Sequence, residues 1–157
     1  MRFPKSARIH HRSLQERLFT QGAKLHEFPL KLIWNTLSAE QLESNFRHHV
    51  PHGIGPVQVL VSVPKKKRRK AVDRVLMRRR IREAFRLGRG GVVQKVECLP
   101  QIRTLSIGLV YMKDANVPFI EIKEKLDRLL LKLVDKLEEK YEESDKEVGG
   151  VDSAAAD

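Results

Sequence analysis

The sequence predicts an α/β fold in which helices cover one sheet within a single domain, and three observations carry that reading. Apolar, β-branched runs recur at "PLKLIW", "VQVLVSV" and "TLSIGLVYM", bounded by proline, threonine or lysine. Segments with helical periodicity precede, separate and follow them. Helix, strands, helix, strand, helix is the alternation that layers helices on a sheet. At 157 residues and 41% hydrophobic, the chain can bury one modest core.

Taken in order, the first helix is expected over residues 14–21. Ser13 and Glu16 form the S-x-x-E pattern of a capping box, and Gly22 supplies a stop. Leu14 and Leu18 share one face, whereas Gln15 and Phe19, four apart, project together from another. Pro29 stands at the start of "PLKLIW", where its missing N–H does least harm. Residues 38–56 are polar and read as a connecting loop. "VQVLVSV" is the clearest strand. A basic loop follows, then the helix "AVDRVLMRRRIREAFR" over 71–86, closed by Gly88, Gly90 and Gly91. "TLSIGLVYM" is apolar throughout, as suits a strand buried on both faces. A last helix is expected over 118–141, with Ile122, Leu126, Leu129, Leu130, Leu133 and Leu137 on one stripe. The acidic, unpatterned residues 142–157 are expected to form a disordered tail, leaving residues 1–141 as the domain.

The charge is concentrated in one place. Between Lys65 and Arg89 there are thirteen Lys or Arg against only Asp73 and Glu83, a surplus of eleven that equals the net charge of the whole chain. A field of that density suits a polyanion, most simply nucleic-acid phosphates. At about 100° per residue, Met77, Ile81, Ala84 and Phe85 cluster on the side of the 71–86 helix that packs inward. Arg74, Arg78, Arg79, Arg82 and Arg86 form a second face, and guanidinium groups grip phosphate in a bidentate fork. Asp73 and Glu83 are read as pointing away from that face. Val75 falls in its middle, which core packing does not explain.

Other features are weaker. "MRFPKSARIHHR" lacks the apolar stretch of a secretory signal, and no run approaches the roughly 20 residues that span a bilayer. One cysteine, Cys98, permits no internal disulfide, so a reducing, cytoplasmic setting and an ordinary structural thiol are expected. His48, His49 and His52 have no fourth ligand at zinc spacing and read as a solvated loop, as do Glu40 and Glu43. No phosphate-binding glycine loop, dinucleotide fingerprint or nucleophile elbow occurs, so no catalytic residue is assigned to the protein.

From about Phe3 to Lys136 the chain resembles the protein component of bacterial ribonuclease P. The centre of the resemblance is Ser62, Val63, Lys65 and Lys66, then Ala71, Val72, Arg74, Arg78, Arg79, Arg82 and Glu83; "LFTQG" followed by "FPLKL" and a late helix after Pro118 and Glu121 are similar too. The resemblance implies an α+β sandwich like a ribosomal-protein S5 domain, in the order α-β-β-β-α-β-α with a left-handed β-α-β crossover. It implies that an RNA subunit holds Mg2+ and removes the 5′ leader of precursor tRNA by hydrolysis, with the protein assisting. Carried over, Lys65, Lys66, Arg68, Arg69, Lys70, Arg74, Arg78, Arg79 and Arg82 contact the catalytic RNA, and Phe19 and Lys31 bind the single-stranded leader. The expected partners are ribonuclease P RNA and precursor tRNA, without a membrane, and the free protein is expected to be monomeric.

The chain departs from the family pattern at Val75, where the signature has asparagine, and at Gln15, where the first helix has a hydrophobe. Two other functions compete: a non-catalytic RNA-binding protein on the same fold, and a metal-dependent nuclease, for which clustered carboxylates are missing.

Overall fold

Four strands build the sheet: β1 (Ala23–Glu27), β2 (Leu30–Leu37), β3 (Val57–Ser62) and β4 (Thr104–Tyr111). The computed structural model describes the backbone of residues 4–156 and the side chains of residues 4–142. The strand order is β1-β2-β4-β3, with β1–β2 and β2–β4 antiparallel and β3–β4 parallel. Around it lie α1 (Arg12–Gln21), α2 (Ala39–Ser44), α3 (Ala71–Gly88), α4 (Gly90–Glu97) and α5 (Phe119–Ala156). Setting aside α2, α4 and a 3-10 turn at Lys5–Ala7, the order is α-β-β-β-α-β-α, as expected, with α3 and α4 forming the crossover between β3 and β4.

Side-chain alternation divides the sheet into two faces, each with its own core. Leu30, Leu32 and Trp34 of β2, Val57, Val59 and Val61 of β3, and Leu105, Ile107, Leu109 and Tyr111 of β4 meet α3, α4 and α5. The expected stripe of α5, Ile122 to Leu137, is wholly buried there, as are Met77, Ile81, Ala84 and Phe85 of α3. On the other face Ile33 and Leu37 meet Leu14 and Leu18 of α1 and Leu42 of α2. Gly108 of β4 lets α1 approach, because a Cβ there would stand 3.2 Å from Leu18 Cδ2. Sandwiched in this way, β4 is buried along nearly its whole length.

Several local expectations need correction. The capping box at Ser13 does not form. Helix α1 starts at Arg12 behind His11, Glu16 pairs with Arg12 at 3.0 Å, and Ser13 Oγ accepts from Asn45 Nδ2. The 38–56 segment is not all loop, since Ser38 and Gln41 make a reciprocal capping box that opens α2. Gly88 ends α3, but Gly90 and Gly91 open α4 rather than a loop, with Val92 and Val96 buried one turn apart. The first strand, β1, pairs from Ala23↔Trp34 to Glu27↔Leu30 and turns through Phe28 and a cis Pro29. The expected tail over 142–157 lies, for all side chains after Glu142, outside the described residues.

Candidate nucleic-acid interface

Because β3 and β4 run parallel, the segments leaving them emerge side by side at one end of the sheet. The basic loop after β3 is folded as a turn, with the N–H groups of Lys67 and Arg68 donating to Pro64 O at 3.0 and 3.1 Å. It is laced to the segment after β4. Arg68 donates to Asp114 O at 2.6 Å and pairs with Asp73 Oδ2 at 3.0 Å, and Lys67 lies 3.6 Å from Asp114. Asn116 donates to the other oxygen of Asp73. From the first turn of α3, Arg74 Nη1 reaches back to the carbonyls of Arg68 and Arg69 at 3.1 and 2.7 Å. The result is a depression of about 470 Å³ lined by Lys66, Lys67, Arg68, Arg69, Lys70 and the two acids.

The arginines of α3 thus fall into two sets. Arg74 is engaged as above, Arg80 donates to Val117 O at 2.6 Å, and Arg86 holds Glu83 through two bonds of 2.9 and 2.6 Å. Those bonds push the Glu83 pKa down and the Arg86 pKa up. The expectation that Asp73 and Glu83 point away from the basic surface is therefore corrected: each neutralises one arginine, Arg68 and Arg86. Arg78, Arg79 and Arg82 have no hydrogen-bond or ion-pair partner among the described residues, nor do the side chains of Lys65, Lys66, Arg69 and Lys70. Val75 stands among the unpaired arginines, 38% exposed, as the helical spacing predicts.

One residue of this surface escaped the sequence reading. Arg8 runs parallel beside the edge strand, bridged to Val59, with Ile9 N–H donating to Val59 O. Arg8, His10, Leu60 and Arg82 line a cleft of about 230 Å³, and Arg8 Nε is buried without a partner. Burial lowers the Arg82 pKa, and the charges of Arg8 and Arg78 lower it further. Among the described residues none of these three neighbouring guanidinium groups has a carboxylate partner, an arrangement that an anion relieves. Only the tertiary pairing brings Arg8 here, so no local pattern could have marked it.

The second candidate surface is the sheet face under α1. Lys31 sits on it, half-buried, flanked in register by His26 of β1 and Val110 of β4. Phe19, 45% exposed, lies in the last turn of α1, just before Gly22, whose α-carbon packs against Ile33, two residues along β2 from Lys31. Gln15 turns away to donate to Ile9 O at 3.3 Å, tying α1 to the N-terminal segment. The remaining candidates stay apart. His48, His49 and His52 are exposed, no group of three or more His, Cys, Asp or Glu among the described residues could hold a metal, and Cys98 is an exposed thiol at the end of α4. No helix of the described residues is long and apolar enough to cross a membrane.

Solved structures share this architecture, and two serve as examples. An RNase P protein from Staphylococcus aureus superposes with a TM-score of 0.57 at 18% identity, covering 82% of this chain and 96% of that one. One from Thermotoga maritima superposes with a TM-score of 0.53 at 21% identity, covering 78% and 94%. No curated protein sequence matches the chain. The family model described as Ribonuclease P matches residues 3–134, most of the chain, and with this the chain belongs to the ribonuclease P family.

Proposed function

We propose that this ribonuclease P subunit works by placing two polyanions on two surfaces. Arg78, Arg79 and Arg82 of α3, with Lys65, Lys66, Arg69 and Lys70 of the loop, dock on the catalytic RNA. Arg68, neutralised by Asp73, and Arg74 shape that loop from within, and Arg74 adds its charge to it. The face bearing Phe19 and Lys31 takes the single-stranded leader of precursor tRNA, the ring stacking on an unpaired base and the ammonium group meeting a phosphate. Mature tRNA has no leader and forgoes this second contact, so the protein favours precursor over product.

The observation that carries the reading is the set of unpaired guanidinium groups on one face of α3. Like charges held together without counterions oppose folding, and an RNA backbone removes that cost on docking. In this proposal the RNA subunit performs the hydrolysis and holds Mg2+, and the protein binds and orients. The test is reconstitution at low magnesium with a ribonuclease P RNA and precursor tRNA. Cleavage at the mature 5′ end is expected with both components and none with protein alone. Cleavage by protein alone refutes the division of labour, and binding without stimulation refutes the assisting role.

A further inference from the structure

Among the described residues only two phenylalanine, tyrosine or tryptophan rings, Phe19 and Phe28, are exposed; Phe28, at the tip of the β1–β2 hairpin, is 61% exposed. An isolated exposed ring needs no explanation, but the support of this one is unusual. Glu27, the residue before it, is gripped from α5 by Lys132 at 2.7 Å, Arg128 at 3.4 Å and Lys125 at 3.8 Å. Pro29, the residue after it, accepts the Met112 N–H at 2.8 Å, which brings Lys113 to the same end of the sheet. Lys31 follows two residues later on β2. The tip is thus clamped by three cations that Glu27 engages on the α5 side, with Lys31 on the α1 face and Lys113 at the same end of the sheet, while Glu27 is the one carboxylate of the hairpin.

We propose that the hairpin tip is a second stacking platform for single-stranded RNA, with Phe28 as its ring. This rests on the leader-binding reading above. From the level of Lys24 and Ile33, beneath the end of α1, to Phe28 is four residues of strand, roughly 13 Å at about 3.3 Å each. Lys31 lies between, so a leader leaving Phe19 meets a cation and then a second ring. Fixing the ring beforehand lowers the ordering cost of binding. The charge also matches: Lys113 lies two residues beyond the end of β4 and next to Asp114, which the basic loop already holds, so the segment after β4 links that loop to the end of the sheet that carries the tip.

The experiment uses reconstituted holoenzyme and precursor tRNAs whose leaders shorten one nucleotide at a time. F28A is expected to weaken binding of long-leader precursors about fivefold or more, the low end of base–aromatic stacking. Affinity for mature tRNA and for the RNA subunit stays unchanged, F28Y and F28W restore binding, and the effect disappears once leaders no longer reach the tip. F28W emission is quenched by long-leader precursors, above the constant signal of buried Trp34. If F19A and K31A weaken precursor binding and F28A does not, the tip is no platform and the leader reading survives. If none of the three matters, the leader reading fails and takes this inference with it. Equal loss for precursor and mature tRNA also overturns it.

Discussion

Arg78 and Arg86 lie on the same helix and carry the same charge, yet only Arg86 has an internal partner, Glu83. That difference decides what each can give an incoming phosphate. Docking through Arg86 must first break a bidentate bond, whereas Arg78, Arg79 and Arg82 lose no protein contact. R78A and R82A are each expected to reduce the slope of log affinity against log salt by roughly 0.7–0.9 in RNA-subunit binding. R86A is expected to change it less, and equal slopes for all three would show that the internal pairing is irrelevant. The cluster of charge was plain in the sequence, but the partition was not, because Asp114, Val117 and Arg8 meet it only through the tertiary fold. Val75 was placed correctly by helical spacing alone. Glu27 yields a pH-dependent test. Its bond to Lys132 lowers its pKa, with Arg128 and Lys125 acting in the same sense. A carboxylate depressed on folding stabilises the folded state above its unfolded value, roughly 4.3, and loses that contribution as pH falls through the folded value. E27Q should therefore be less stable than wild type at pH 7, and the gap in urea midpoint should narrow as pH falls below the unfolded value of roughly 4.3 and close as it falls through the lowered folded value.

At the scale of elements, packing constraints lie where sequence punctuation is also strongest. Gly22 ends α1 with φ −70°, a conformation open to any residue, so its requirement is space rather than backbone freedom. A Cβ there would collide with Leu18 O and stand 2.5 Å from Ile33 Cγ2. G22A is expected to cost about 1–3 kcal/mol, the range for overpacking, measured by urea unfolding. A loss below half of that would mean that α1 shifts freely on the sheet. The long elements were legible because α5 and α3 bury sustained stripes at helical period, and β3 and β4 are β-branched runs. The short ones were hidden by composition. Helix α2 carries a capping box at Ser38 and Gln41, but a single buried leucine, Leu42, leaves no periodicity to read. Helix α4 opens on two glycines, which ordinarily mark an end; a Cβ at either meets nothing within 4 Å, so neither is needed for a close approach. At α1 the S-x-x-E pattern was present, but Arg12 one residue earlier competed for the same carboxylate and won.

Across the whole molecule, the two proposed surfaces are arranged by one sheet. The parallel β3–β4 pair gathers the basic loop and the segment after β4 at one end, and the antiparallel hairpin presents Phe28 near the segment that follows β4. The strand order was not recoverable from periodicity, since period reveals that a strand is buried and not which neighbours it has. That order also governs assembly. Strand β4 is the last to be made and occupies an interior place, between β2 and β3. Until Thr104–Tyr111 leaves the ribosome, β2 and β3 have no shared neighbour and both cores lack their middle layer. The arginine helix is synthesised before the platform that aims it is complete. Long-range pairing of this kind slows folding, because loop closure precedes its reward. A nascent chain that stops short of β4 carries the full positive charge without a shaped surface, so RNA-binding competence arrives late, in one step, when the central strand inserts.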